Sequence, residues 1–265
     1  MKYTLYSYRY AQEILEHSNN REALEEIIFA VSEAPLFTYA DKSKNNDRLD
    51  VVQQVMNTWY DRVLGVEFGW DYHPLATIIP DSGLAADFRK DFRNIRVQAE
   101  VQFGNMARWY SDVFKFQTAY SQDLIDVGLC IVPMGSLARR IDSNIVSFER
   151  VLRELPSAKM SLTLPILVVG VEPDADTQVV DLRRLGLPLE KLTRAVKAAK
   201  PSKAKRPRKP VPLTAAGRSE HNRYRIVHAI RTGSDPLAIN DQSPTGELAR
   251  PLAIAAPIDD GDPDA

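Results

Sequence analysis

Two short runs in this chain are apolar on both of their faces: IDVGLCIVPM at 125–134 and LTLPILVVGVEP at 162–173. Side chains alternate across a strand, so a strand can be apolar throughout only where both faces are covered. Each run therefore reads as a central strand packed on either side. Ahead of them, IRVQAEVQF at 95–103 alternates strictly, with Ile95, Val97, Ala99, Val101 and Phe103 on one face and Arg96, Gln98, Glu100 and Gln102 on the other. That pattern predicts a half-buried strand with a polar face. After the Gly104-Asn105 break, Met106, Tyr110, Val113, Phe116 and Tyr120 recur at helical spacing and predict a helix of about four turns. A helix-rich stretch at 136–155 separates the two apolar runs. Strand, helix, strand, helix, strand implies an α/β fold whose parallel or mixed sheet is flanked by helices.

The rest of the chain is arranged around this core. Residues 3–8 read as an aromatic strand, and Leu24, Ile27, Ile28 and Val31 mark an amphipathic helix. Past the polar break DKSKNND, a second helix carries Leu49, Val52, Val55, Met56, Trp59 and Val63 on one stripe. Residues 65–90 read as loop with a helical turn at 84–89. Beyond Pro173, Leu182, Leu185, Leu189 and Leu192 are spaced as a packing helix, and KAAKPSKAKRPRKP at 197–210 is a basic linker with almost nothing to bury. RYRIVHAI is one further short apolar segment, and the Pro- and Asp-rich end is expected to be disordered. The basic run has two readings, a solvated linker or an added attraction for phosphates.

With 265 residues, 44% hydrophobic and 26% charged, the chain can bury one substantial core. A net charge of −1 excludes a histone-like coating of nucleic acid, yet is compatible with basic charge concentrated in one cleft. Cys130 is the only cysteine, which rules out an internal disulfide and a cysteine-based zinc site and fits a reducing cytoplasm. No stretch approaches the roughly 18 to 20 apolar residues that span a bilayer, and the first residues lack an apolar signal segment. A soluble, cytoplasmic protein is the expectation.

Candidate chemistry gathers on the alternating strand. Glu100 and Gln102, two apart on its polar face, project side by side roughly 6 to 7 Å apart at the backbone. Asp91 lies nine residues before Glu100, a separation that a tight turn around Arg93 and Asn94 folds back to bring the two carboxylates together. Two carboxylates with the Val101 carbonyl would form the incomplete oxygen shell that Mg²⁺ prefers, and such an ion can activate water for phosphodiester hydrolysis. Gln102 has no proton to titrate in this range, so its role would be to orient the water or hold a phosphate oxygen. Taken alone, this pattern equally describes a solvated face on which Glu100 pairs with Arg96 or Gln98. A further acidic residue before Asp91 could complete the site, and Glu67, Asp71, Asp81 and Asp87 are all candidates among which the sequence does not choose. The four histidines lack metal-ligand spacing, and His73 reads as structural or exposed. The aromatics Trp109, Tyr110, Phe114, Phe116 and Tyr120 read as core or dimer contact. An acid/base pair of a glycosidase, formed by Asp91 and Glu100, finds no support elsewhere in the chain.

The segments DFRNIRVQAEVQFGN at 91–105, IDVGLCIVPMGSL at 125–137 and PILVVGVEP at 165–173 together closely resemble the BglII/BstYI group of type II restriction endonucleases. This group belongs to the PD-(D/E)xK nucleases, in a variant with Gln at the usual Lys position. Asp91, Glu100 and Gln102 fit its Asp-x8-Glu-x-Gln motif. The resemblance implies a restriction-endonuclease-like catalytic domain at 1–195, followed by a basic linker and largely disordered tail at 196–265. It also implies a homodimer that needs Mg²⁺ and cuts double-stranded DNA at a short palindrome with a GATC core, beside a cognate DNA methyltransferase. A non-cleaving DNA-binding protein of the same fold is the alternative. Two places match segments that approach the bases in this group: Asn105, and Asp142, Ser143 and Asn144. Asn105 is equally a natural helix N-cap, and Ser143-Asn144 could cap a helix beginning near Ile145.

Overall fold

The computed structural model describes residues 1–193 and 222–234. The adjacent apolar strands of the sequence lie side by side in the middle of a six-stranded sheet. Its strands are β1 (Lys2–Tyr8), β3 (Asp71–Tyr72), β4 (Phe88–Asp91), β5 (Arg96–Val101), β6 (Val127–Pro133) and β7 (Ile166–Glu172), in the spatial order β1-β7-β6-β5-β4-β3. The pairs β5–β6 and β6–β7 are parallel, whereas β1–β7, β4–β5 and β3–β4 are antiparallel. The sheet is therefore mixed: helical crossovers make β5, β6 and β7 parallel, and the β4–β5 hairpin brings in an antiparallel pair. The short strands β2 (Leu36–Thr38) and β8 (Val179–Asp181) form a separate parallel pair.

The two-residue period divides the core into two layers. Val97, Ala99, Val101, Leu129, Ile131, Leu167, Val169 and Val171 face a layer that includes α2 (Arg21–Ser32) and α3 (Gln53–Tyr60). The intervening residues Cys130, Val132, Ile166 and Val168 face α4 (Met106–Ser121) and α6 (Phe148–Glu154), through Trp109, Phe116, Phe148 and Val151. The short helices α1 (Ala11–Glu16), α5 (Gly135–Ile141) and α7 (Leu189–Thr193) complete the described chain up to residue 193.

Several expectations need correction. The second helix does not start at Leu49: Val51 is in a bridge with Thr38, and α3 begins at Gln53 and runs on through a wider helical stretch, Asp61–Glu67. No helical turn forms at 84–89; Ala85 bridges Leu75, and Phe88–Asp91 is strand β4, because sheet pairing offers this stretch backbone partners that an isolated turn does not. Leu182–Leu185 and Leu189–Thr193 are two short helical pieces divided by Gly186, rather than one packing helix. The apolar segment near 223–230 belongs to α8 (Asn222–Thr232). Ile226 and Val227 are fully buried there in the first core layer, and Tyr224 donates to Asp61 at 2.6 Å. The expected division after residue 195 thus leaves out a helix of the core. The basic run 197–210 and the acidic end fall outside the described residues.

Candidate active site

The β4–β5 hairpin decides which carboxylates meet. Phe88 pairs with Ala99, Arg89 with Gln98, Lys90 with Val97 and Asp91 with Arg96. Continued by one position, this register sets Asp87 opposite Glu100, on the same face. Asp91 lies four positions along the strand from Asp87, about 13 Å at strand rise, next to the turn and exposed. The expected meeting of Asp91 with Glu100 does not occur. The turn spans Phe92–Ile95, closed by a hydrogen bond from Phe92 N–H to the Ile95 carbonyl at 2.8 Å. Each residue spent on the turn and the paired strands moves the carboxylate facing Glu100 further back along the chain. Of the four additional acidic candidates, only Asp87 reaches the site: Glu67 is held by Arg62 at 3.1 Å and Arg231 at 2.9 Å, and Asp71 and Asp81 are exposed.

Asp87 accepts from the Val101 backbone N–H at 3.0 Å, so it lies against the peptide that joins Glu100 to Val101. Glu100 is fully buried; Gln98 donates to its Oε1 at 3.0 Å and Lys115 to its Oε2 at 2.7 Å. Lys115 Nζ also donates to Asp112 Oδ1 at 2.8 Å, and Gln102 Nε2 donates to Asp112 Oδ2. The Gln102 side-chain oxygen, Oε1, accepts from Gly104 N–H at 2.9 Å. A Cβ at Gly104 would stand 2.6 Å from that same Gln102 oxygen, so the glycine is what lets the chain turn so tightly around it. The polar face of β5 is thus polar but not solvated, because α4 lies over it.

Burial, reinforced by Asp87 and Asp112, holds the Glu100 carboxyl well above the usual carboxylate range despite Lys115. Burial raises Asp112 in the same way, against the pull of Lys115 and Gln102. For Lys115, burial works to lower the ammonium, but Glu100, Asp112 and Asp87 together outweigh it and the net direction is upward. Burial is the largest cause of both carboxyl shifts, and the neighbouring carboxylates add to the rise of Glu100 and carry Lys115 upward against its burial. Below it, the Cys130 thiol is fully buried and pushed up by burial and by the same carboxylates.

A polar cavity of about 280 Å³ opens onto this cluster, lined by Gln53, Asn57, Asp87, Val101, Gln102, Arg108, Ser111, Asp112 and Lys115. Among the described residues no three His, Cys, Asp or Glu side chains are gathered tightly enough to hold an ion by themselves. The wall offers the carboxylates of Asp87 and Asp112, with Glu100 fully buried and held by Gln98 and Lys115, and with Asn57 Oδ1 buried and without a hydrogen-bond partner. Few protein oxygens and space for water suit a small, strongly hydrated divalent cation such as Mg²⁺.

The expected base-contacting segments come together beside this cavity. Asn105 forms a bridge with Ile145, and Val146 N–H donates to the Gly104 carbonyl at 3.0 Å, so the exposed Ser143 and Asn144 flank Asn105. Asn105 does cap α4, accepting from Arg108 N–H at 3.1 Å. The alternative role for Ser143-Asn144 is not taken up, since α6 starts at Phe148 after Ser147; Ser143 donates to Asp142, from its N–H at 2.6 Å and from Oγ at 3.2 Å.

The family model for restriction endonuclease BglII/BglIII matches residues 3–171. The chain belongs to the BglII/BglIII restriction endonuclease family. As a member it is an enzyme, a type II site-specific deoxyribonuclease. A comparison with curated proteins gave no match. Among solved structures, restriction endonuclease BglII complexed with a DNA 16-mer aligns with TM-score 0.55 and 21% identity over 67% of this chain and 79% of that chain. Free BglII aligns with TM-score 0.47 and 20% identity over 67% of this chain and 82% of that chain. The first of these likenesses confirms the expected fold, a mixed sheet flanked by helices.

Within the BglII/BglIII family chain, sequence reasoning missed Gln53, Asn57, Arg108, Ser111, Asp112 and Lys115. The last four recur at helical spacing along α4, opposite much of the apolar stripe that marked the helix. A polar stripe on a helix that directly follows the candidate strand was the available signal. The aromatic set divides: Trp109 and Phe116 are core, whereas Tyr110 and Phe114 are 53% and 62% exposed. His73 contacts the Ala86 carbonyl through Nδ1 at 3.3 Å and has no part in the cluster.

Proposed function

We propose that the enzyme hydrolyses phosphodiester bonds of duplex DNA at a short palindrome, with Asp87, Glu100 and the Val101 carbonyl holding Mg²⁺. One observation carries this: Asp87, at the wall of a polar cavity, accepts from the Val101 N–H and stands opposite the buried Glu100 in the hairpin register. When bound, Mg²⁺ supplies an acidified water and neutralises charge on the scissile phosphate. Glu100, fixed by Gln98 and Lys115, keeps its geometry without solvent, so little reorganisation accompanies the reaction. Gln102 has no titratable proton and acts by positioning, and Arg108 at the cavity wall is placed to neutralise a backbone phosphate.

Sequence readout is assigned to Asn105, Ser143 and Asn144, whose side chains suit base edges and stand together next to the cavity. A palindrome calls for a two-fold dimer, and the exposed Tyr110 and Phe114, one turn apart on α4, provide an apolar face for it. The resemblance of segments 91–105 and 125–137 to the BglII/BstYI group makes a GATC core the first substrate to test, and a cytoplasmic enzyme of this kind requires a methyltransferase protecting the same site.

The test is incubation of the purified protein with unmethylated phage DNA, with Mg²⁺ or with chelator, followed by sequencing of the ends. Discrete Mg²⁺-dependent fragments ending at one palindrome are expected. Intact DNA from a folded, dimeric protein would instead favour a non-cleaving DNA-binder of the same fold.

A further inference from the structure

Lys115 reaches the candidate site from a helix rather than from the hairpin that carries the carboxylates. Its side chain is 14% exposed, its Nζ lies 2.7 Å from Glu100 Oε2 and 2.8 Å from Asp112 Oδ1, and it lines the cavity. A buried ion pair is poor evidence of a stabilising role, because taking an ammonium out of water offsets much of what its partners return. An ammonium has three N–H donors, of which these contacts use two, leaving one for the cavity. Gln102 is differently placed. Its side-chain oxygen is occupied by Gly104 N–H, and its amide nitrogen is turned to Asp112. Asp112 in turn has one oxygen on Gln102 and the other on Lys115. The chain of contacts runs from Gln102 through Asp112 to Lys115 and ends beside Glu100.

We propose that Lys115 is a catalytic residue whose ammonium holds the attacking water beside Glu100, and that Gln102 and Asp112 are positioning residues acting through it. This rests on the hydrolytic reading of the site. In the reaction the water oxygen bonds to phosphorus and the P–O3′ bond breaks. The 3′ oxygen leaves with the electron pair and takes up a proton, while the water gives its proton to solvent. Lys115 keeps its own protons throughout and contributes charge and direction.

The experiment compares Lys115→Met and Lys115→Arg with the parent protein in three measurements: single-turnover cleavage of bound DNA, DNA affinity without divalent metal, and Mg²⁺ binding by calorimetry on DNA-free protein. Lys115→Met is expected to cleave about 10²-fold slower or worse, the scale of losing one preorganised donor, while Mg²⁺ and DNA affinities stay within about threefold. Lys115→Arg, keeping the charge, is expected to recover part of the rate. If Lys115→Met keeps pace with the parent, or if its deficit disappears at high Mg²⁺ together with a matching loss of Mg²⁺ affinity, the catalytic assignment is overturned. Should Lys115→Met fail to unfold cooperatively, the double variant Asp112→Asn/Lys115→Gln, which removes the charge pair together, is held to the same criteria. A parent protein that cuts no DNA overturns the hydrolytic reading and Lys115's role with it. A parent that cuts, alongside a Lys115 variant that cuts equally well, overturns only the latter.

Discussion

The two ends of the β4–β5 hairpin are built from the same residue types and behave in opposite ways. At the turn end, Asp91 faces Arg96 and is exposed, while Arg96 is clasped by Asp126 at 2.8 Å and Asp123 at 2.7 Å, both partly or largely in solvent. At the open end, Asp87 and Glu100 lie under α4 with Asp112 and a single ammonium. Solvent and Arg96 satisfy the first cluster. In the second, desolvation and neighbouring carboxylates raise Glu100 despite Lys115. What covers a carboxylate at this hairpin decides its electrostatic state.

This contrast can be broken most severely by removing its carboxylates. Glu100→Ala and Asp87→Ala are each expected to lower single-turnover cleavage by roughly 10³-fold or more, while DNA binding without metal persists; gel-shift titration beside a cleavage time course checks both. Asp91→Ala, at the other end, should leave cleavage within about twofold and stability within about 0.5 kcal/mol. A dead Asp91 variant that still folds would restore the carboxylate spacing first read from the sequence. Gly104→Ala is a smaller intervention, setting a methyl against the Gln102 side-chain oxygen at the site's edge. It should cost about 1–3 kcal/mol in thermal unfolding and slow cleavage by about tenfold.

The two ends should also respond to pH with opposite sign. Glu100 is raised in the fold, so without metal its ionisation works against folding as pH climbs above the ordinary Glu value of 4.5. Glu100→Gln should therefore raise the melting temperature in chelator at neutral pH, by something on the order of 2–4 °C. Asp126 is lowered by its hydrogen bond to Arg96, so its contribution is present above the ordinary Asp value of 3.8 and lost as pH falls through its lower folded value. Asp126→Asn should slightly lower the melting temperature at neutral pH, and the difference should vanish in acid. Melting curves in chelator from pH 2 to 8 distinguish the two, and shifts of equal sign would erase the distinction between the ends.

Much of the molecule was legible in the order of its residues. Runs apolar at every position, such as those containing Leu129–Val132 and Leu167–Val169, can be satisfied only between two layers, which implied the central strands of an α/β sheet, parallel or mixed. The alternation of β5 put Glu100 and Gln102 on one face, and Asn105 announced the start of α4. These are local signals, set by a period or by a cap. Where β4 begins, how long the hairpin is, and hence that Asp87 rather than Asp91 meets Glu100, depend on pairing register, which a linear spacing leaves open. Whether the polar face of β5 meets water depends on α4 folding back over it, and α8 joins the core only because a buried surface awaits Ile226 and Val227. Sequence determines which side chains share a face of a strand or helix, because that follows from backbone geometry alone. What covers that face, and therefore which charges are left wanting a partner, is decided by contacts between residues far apart in the chain.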